Sequence, residues 1–442
     1  MTLADDFSDA IGGSDRPTTI GERALQVCQQ LEKSMHFAYI VETKEFRYYR
    51  KGCYHLGAEE HVTGLLQKMR PDISQHLINE VIAKLSQRNY HSLDEFDSDT
   101  NILTTEDGLL DMNKMKLLPH DPNYLSIVQF PAKFVRRPKS KRIRKFLDET
   151  LDKKELRKLM FLLGDLLYLE GQKQTIFFLV GSGHNRKGTL ARLLQHFVGR
   201  ALYSNLSLEE LADRQFTIVN LYGKILNVAG DESPNAPENW HIIRRITGAD
   251  MLSGEMKGVQ KRVNFRNKAL MIFIFNKLPQ IDEDYSTWRR IQLIRFKRNF
   301  EENDDGKGEA FESKLHTSEC MSELLWLALK GRRMYMKNGG HEKEDLDSIK
   351  QEYKLLQDHV AAFISECYTR KVDGFIDSDV VYQDYVEYCK THKQTALPKR
   401  ELGERLASNG IPNRKRRGVG KKNRPHCYIG IVRKEAGFFV DG

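Results

Sequence analysis

At 442 residues, with 40% hydrophobic and 10% aromatic side chains, the chain is long enough for two or three domains with real cores, which excludes a wholly disordered protein. A formal net charge of +9 suits a polyanionic partner without naming one. No apolar run approaches membrane-spanning length, the six cysteines form no C-x-x-C pair and the fourteen histidines no H-E-x-x-H, which excludes a membrane span, a disulfide frame and a zinc site. The thiols are expected reduced, in a cytoplasmic compartment.

Residues 1–20, rich in Asp, Ser, Gly and Thr, are expected to form a flexible tail with no signal-peptide character. A mixed α/β accessory domain is predicted over 21–135. It begins with a helix near Glu22–Glu32, and aromatic and β-branched runs from His36 to Gly57 then read as three strands broken at Thr43 and Gly52. Helices are predicted near Glu59–Met69 and Ser74–Leu85, and short strands flank Asp107 and Gly108. The basic run from Arg136 to Arg142 reads as a linker, with a nucleic-acid contact as the alternative.

From 141 to 300 the pattern is α/β, with a helical lead-in over 141–172. Strands are predicted at 175–180, 224–229, 269–275 and 291–296, and their alternation with helices argues for a mostly parallel sheet. The first strand runs into Gly181, Ser182, Gly183, His184, Asn185, Arg186, Lys187, Gly188 and Thr189, and then into helical spacing of Leu190, Leu193, Leu194 and Phe197. Strand, glycine loop, lysine and helix is how a phosphate-binding loop is built: backbone N–H groups and a helix N-terminus face the anion while the lysine reaches the outer phosphates. Against the pattern G-x-x-x-x-G-K-[ST], Arg186 holds the second glycine's place and Gly188 the hydroxyl's. An ordinary strand-to-helix turn carrying a lysine is the alternative for this stretch alone.

Downstream residues bear on that choice. Asp231 and Glu232 end the second strand, where one carboxylate can hold Mg²⁺ and its neighbour can polarise water. Asn276 comes directly after the third strand and can contact a γ-phosphate. Arg289 and Arg290 precede the fourth and can supply a finger across a subunit boundary, with a plain surface pair as the alternative. Between the second and third strands, Gly254, Lys257, Gly258, Lys261, Arg262 and Arg266 make a basic hairpin candidate for gripping a phosphate backbone, or else a solvated loop.

Residues 301–345 are expected to be a helical connector, with helices dominating 310–390. A winged-helix domain is predicted over 346–434 from a helix at Asp379–Thr391, a helix at Lys399–Asn409, a basic loop and a strand at His426–Val432. The loop carries Arg414, Lys415, Arg416, Arg417, Lys421 and Lys422 with no acid from 411 to 425, so a duplex contact is the expectation; a nuclear-localisation patch or a plain basic loop is the alternative.

These elements, in this order, resemble the superfamily 3 helicases of the poxvirus, phage and plasmid primase-helicase type. The segments carrying the resemblance are G-S-G-H-N-R-K-G-T, L-Y-G-K-I-L-N-V-A-G-D-E, I-T-G-A-D-M-L-S-G-E-M-K-G, F-N-K-L-P and W-R-R-I-Q-L-I-R-F, with D-G-L-L-D-M and L-P-H-D-P-N-Y before them. It spans roughly residues 35–433. The resemblance implies an AAA+-like P-loop ATPase core and a homo-oligomeric ring, usually a hexamer, with ATP and Mg²⁺ between subunits. It implies Lys187 on the β/γ-phosphates, Asp231 and Glu232 serving Mg²⁺ and water, Thr189 taking over a Mg²⁺ contact, and Asn276 as γ-phosphate sensor. It further implies Arg289 or Arg290 as the finger and Lys257 at the channel on single-stranded DNA. Gly258 stands where relatives often carry histidine. The expected activity is ATP-driven unwinding of forked DNA in viral, phage or plasmid replication, beside a separate or fused primase or polymerase. The alternatives are an ATP-switched replication initiator or loader and, from another class, a metabolic P-loop kinase, in which the hairpin and basic tail would have no role. No primase domain is expected in the chain.

Overall fold

The computed structural model describes residues 19–169, 174–181, 185–213, 217–232, 240–248, 250–255, 262–281, 284–298, 300, 309–341, 346–391, 396–415 and 426–434. It divides into two compact units, Met1–Glu342 and Lys343–Gly442.

The first unit opens with α1 (Ile20–Glu32), started by a capping box in which Thr19 and Glu22 satisfy each other's backbone N–H groups. Strands β1 (Phe37–Ile40), β2 (Glu45–Arg50) and β3 (Cys53–Leu56) form the antiparallel meander that the sequence suggests. Helices α2 (Ala58–Met69) and α3 (Gln75–Arg88) come next, and β4 (Tyr90–His91) returns parallel to β1, giving the order β3-β2-β1-β4. Val27, Leu31, Phe37, Phe46, Val62, Leu66 and Val81 pack between this sheet and its helices. A second sheet, order β7-β6-β5-β8, comprises β5 (Ile102–Thr105), β6 (Leu109–Asp111), β7 (Lys116–Leu118) and β8 (Gln129–Phe130). Its Leu103, Leu110 and Phe130 belong to the same apolar core as Phe146, Leu162, Phe197 and Leu226, so this sheet and the downstream α/β segment are packed as one body.

Helices α4 (Lys141–Thr150) and α5 (Lys153–Leu166) lead to the interior strand β9 (Ile176–Val180). The chain continues through α6 (Lys187–Val198), β10 (Tyr203–Ser204), α7 (Leu208–Asp213), β11 (Leu226–Glu232), α8 (Trp240–Ile246), β12 (Leu252–Glu255) and β13 (Arg262–Phe265). It then forms β14 (Leu270–Phe275), α9 (Tyr285–Trp288), β15 (Ile291–Arg295), α10 (Glu309–Leu315) and α11 (Ser318–Asn338). The sheet order is β10-β11-β14-β9-β15, and every pairing is parallel. All of β9 and β14 is buried, as parallel strands covered on both faces must be, which is why both read as unbroken apolar runs. The sequence predicted four of these strands; β10 spans two residues, too few for a periodic signal.

Helices α5 and α11 meet backbone to backbone. A Cβ on Gly331 would lie 1.8 Å from the Met160 carbonyl oxygen, and one on Gly164 would lie 2.3 Å from the Arg332 nitrogen. Buried polar ties pin the same helix elsewhere: Glu323 accepts from Ser140 N and Arg144, and Arg332 reaches the Thr100 carbonyl and Asn101.

The second unit contains α12 (Leu346–Gln357), α13 (His359–Cys367), β16 (Tyr368–Asp377), α14 (Ser378–Thr391), α15 (Lys399–Ser408), β17 (Asn413–Lys415) and β18 (His426–Arg433). Its antiparallel sheet runs β16-β18-β17 around a core of Phe363, Tyr385, Tyr388, Leu402, Leu406 and Tyr428. Helices dominate 310–390 as expected, and β16 is the strand among them that the sequence did not announce. Most of that strand is exposed and its pairing bulges between Arg370 and Phe375, so backbone hydrogen bonds hold it where no apolar stripe could announce it. All six cysteines are buried and none forms a disulfide. No helix among the described residues is long and apolar enough to cross a membrane.

Gly331→Ala should destabilise the first unit by about 1–3 kcal/mol, the usual cost of overpacking. Gly64→Ala, in the interior of α2 with nothing within 4 Å of the added methyl, should stabilise it by about 0.5–1 kcal/mol. Denaturant unfolding checks both, and shifts of the same sign would refute the packing described for α5 and α11.

Candidate active site

The C-terminal edge of the parallel sheet brings together Gly181, Lys187, Glu232 and Asn276, whereas Arg289 and Arg290 precede β15 at the opposite edge, where the Arg290 carbonyl accepts from Ile176 N. After Val180 the chain passes through Gly181, whose nitrogen donates to the Phe275 carbonyl. A Cβ there would sit 2.3 Å from Asn185 Nδ2 and 2.5 Å from the Phe296 oxygen, so only glycine fits. Ser182, Gly183 and His184 lie outside the described residues. Beyond them, Arg186 caps α6 in the left-handed region, at φ 65° and ψ 15°. An arginine thus occupies the backbone shape that the phosphate-loop pattern assigns to its second glycine.

Lys187 opens α6 and is 4% exposed. Its Nζ donates to the Gly181 carbonyl (2.5 Å), Asn185 Oδ1 (3.0 Å) and Asn276 Oδ1 (3.1 Å). These are neutral oxygens, which an anion can replace at the ammonium. The first turn of α6 carries no acid, so its N–H groups and helix dipole favour a negative charge at this end. Thr189 is buried, whereas Gly188 sits beside Arg192, whose guanidinium would lie 3.2 Å from an added Cβ. The only hydroxyl in this turn of α6 therefore occupies a buried position.

Strand β11 runs longer than predicted and ends in Asp231 and Glu232. Its register with β14 shifts between Ala229 and Glu232, an irregularity of the kind that re-aims side chains at a strand end. The Asp231 side chain lies outside the description. Glu232 Oε2 accepts from Leu208 N (3.2 Å) at the start of α7, while Oε1 is buried with no hydrogen-bond partner among the described residues. Burial raises this carboxyl to about 7 against the hydrogen bond from Leu208, with Glu210 and Glu209 adding to the rise. It can therefore take up or release a proton near neutrality.

Arg289 and Arg290 part company at the end of α9. Arg289 is exposed. Arg290 is buried, with Nε donating to Thr247 Oγ1 (3.2 Å) and Nη1 to the Ser286 carbonyl (2.5 Å). The predicted hairpin forms, with β12 and β13 pairing from Leu252 opposite Phe265 to Glu255 opposite Arg262. Gly254 serves packing in it: its Cβ would lie 2.8 Å from that of Val219. Lys257, Gly258 and Lys261 lie outside the described residues, as does the Arg262 side chain. Arg414 and Lys415 are exposed on β17, and Arg416, Arg417, Lys421 and Lys422 lie outside the description. Glu149 and Phe300 emerge only in the fold as partners of Arg186: the carboxylate accepts from Nη1 at 2.9 Å and the ring centroid lies 3.6 Å from the guanidinium carbon. Contacts across 37 and 114 positions leave no local pattern in a sequence.

The Glu232 carboxyl predicts a pH effect. Its folded-state value, about 7, lies above the ordinary 4.5, so the stability it contributes is present below 4.5 and lost as pH rises through 7. Glu232→Gln should therefore match the wild type near pH 5 and melt higher at pH 8, by about 2 °C after allowing for solvent screening. A difference in Tm that does not change between the two pH values would contradict the burial described.

Comparison with known proteins gives three family matches in chain order. A profile described as D5 N-terminal-like covers residues 13–152, a family of unknown function, DUF5906, covers 179–290, and a profile described as poxvirus D5 protein-like covers 357–435. A protein of Acanthamoeba polyphaga mimivirus named as a helicase, L207/L206, is 24% identical over 283 residues, 58% of this chain and 29% of its own length. The chain thus spans under a third of that relative. Among solved structures, the apo C-terminal region of NrS-1 (305–718) is 11% identical at a TM-score of 0.47, covering 95% of this chain and 100% of that one. A second apo form of the same region is 12% identical at 0.47, covering 91% and 98%. The D5-like matches at either end bracket the segment that carries the phosphate-loop residues, and with the mimivirus relative they relate the chain to the D5-type superfamily 3 helicases.

Proposed function

We propose that the protein is an ATP-dependent DNA helicase, binding ATP at residues 181–189 and moving single-stranded DNA through a homo-oligomeric ring. One observation carries the reading: Lys187 Nζ and Asn276 Oδ1 meet at 3.1 Å on the sheet edge where β11 also ends in Asp231 and Glu232. A P-loop ATPase needs its phosphate-binding lysine, its γ-phosphate sensor and its acidic strand end on one edge. The strand order β10-β11-β14-β9-β15, with the loop leaving an interior strand flanked by β14 and β15, supports an AAA+-like core.

In this reading the α6 N-terminus and Lys187 receive the β- and γ-phosphates, the ammonium exchanging its neutral oxygens for the anion. Asn276, released from Lys187, turns to the γ-phosphate. Glu232, largely desolvated, accepts a proton from the attacking water. Thr189 and Asp231 would hold Mg²⁺, which neutralises charge on the phosphates; the buried position of Thr189 at the loop fits that role. Of the arginine pair, we assign the finger to Arg289. Its exposure suits a neighbouring subunit's site, while Arg290 commits its guanidinium within its own chain. The element order α13-β16-α14-α15-β17-β18 supports a winged helix, whose wing would hold the basic run from Arg414 to Lys422. Lys257 and Lys261, with Arg262, would contact single-stranded DNA from the hairpin.

An ATP-switched initiator or loader is the second reading, favoured by the departures at Arg186 and Gly188. Strand displacement on a forked duplex separates the two, since a loader would bind ATP and DNA without processive unwinding. Lys187→Ala should abolish ATP hydrolysis, and retained turnover would refute the site. Arg289→Ala should lower hydrolysis by about 10³-fold or more, while its nucleotide affinity stays near that of wild type. A comparable loss from Arg290→Lys with full activity in Arg289→Ala would reverse the assignment.

A further inference from the structure

Arg186 keeps a glycine's backbone while carrying a large side chain. Its φ of 65° lies in a region that non-glycine residues rarely enter and hold only where the surroundings impose it. The guanidinium is buried, ion-paired to Glu149 at 2.9 Å, stacked 3.6 Å from the Phe300 ring centroid and 5.3 Å from that of Phe311. A planar guanidinium suits such a place, because it can pair in its plane and stack on its faces.

The partners belong to one assembly. Glu149 sits in the last turn of α4, and the chain leaving β15 toward Phe300 is stitched to that helix end. Arg298 donates to the Asp148 and Glu149 carbonyls at 3.0 Å each, and Lys297 pairs with Asp152 at 2.8 Å. The same segment abuts the start of the loop: Phe296 N donates to the Val180 carbonyl at 2.8 Å, and the Phe296 oxygen closes off the space beside Gly181. One stretch of chain therefore grips the loop at Gly181 and again at Arg186.

We infer that Arg186 is a positioning residue for nucleotide binding: clamped by Glu149 and Phe300, it holds the loop in its anion-receiving turn before any nucleotide arrives. The inference rests on the reading of residues 181–189 as the ATP loop. In the usual pattern a glycine makes this turn accessible at the cost of freedom to leave it. Here the side chain removes that freedom, so less ordering has to accompany binding. The clamp also ties the loop to the chain leaving β15.

The test is titration of the full-length protein with a fluorescent ATP analogue and with inorganic tripolyphosphate, alongside steady-state hydrolysis. Arg186→Gly, which restores the common residue, should weaken analogue binding by about tenfold and raise KM more than it lowers kcat. Phe300→Leu and Glu149→Gln should each weaken it by a smaller factor, and Phe300→Tyr, which preserves the stack, should bind as wild type does. Tight analogue binding by wild type with equal affinity in Arg186→Gly would overturn the clamp and leave the ATP site standing. Failure of wild type to bind either probe would overturn both. Because Phe300→Tyr and Glu149→Gln change few packing contacts, they keep the test decisive if Arg186→Gly does not fold.

Discussion

Everything at the site depends on the pairing of β9 with β14. The two strands run parallel and in register, with Val180 opposite Phe275, so the residues just beyond them, Gly181 and Asn276, leave the sheet side by side. That register is why the Lys187 ammonium reaches the Gly181 carbonyl and the Asn276 amide oxygen together. It is secure because every residue of both strands is buried, and a parallel strand has no solvent face onto which it could slip. The burial requires cover on both sides, and the helices that give it are those that deliver the loop and its supports.

The charges inside the first unit fall into two kinds. Most are structural and satisfied. Glu155 is fully buried and accepts from Arg295; Glu323 holds the start of α4; Asp97, raised to about 6 by burial, accepts from Ser126 and Ile127 N where the two small sheets meet. Glu232 differs, because one oxygen is committed to the start of α7 and the other is buried without a hydrogen-bond partner among the described residues. A buried polar atom left so is costly in a purely structural role and useful in a proton-transfer one. Lys187 differs in another way: its described partners include the neutral Gly181, Asn185 and Asn276 oxygens, which a phosphate can displace.

Legibility in the sequence tracked burial. The buried strands β9, β11, β14 and β15 were readable as apolar runs, and the helices α1 to α5 as periodic ones, within a few residues at each end. Strand β16 was not, because its side chains mostly face solvent and its ladder is interrupted. Nor was β10, at two residues. The hairpin of β12 and β13 was foreseen from its basic and glycine content, but Gly254 proved to be a packing position against Val219. Asp231, Glu232, Asn276 and Lys187 could be picked out because each stands at a strand end or helix start, where local sequence states position.

The sequence by itself determined which residues were candidates and the order in which they come, since strand ends, glycine turns and apolar periods are local properties of the chain. Tertiary structure alone decided how candidates with the same local signature differ. Arg289 is exposed and Arg290 is locked to Thr247 and Ser286. Arg186 was a defect in a loop pattern until Glu149 and Phe300, far off in the chain, converged on it. The physical reason is that pairing, stacking and desolvation act across space, and two adjacent arginines carry no mark in the chain of which one the fold will bury.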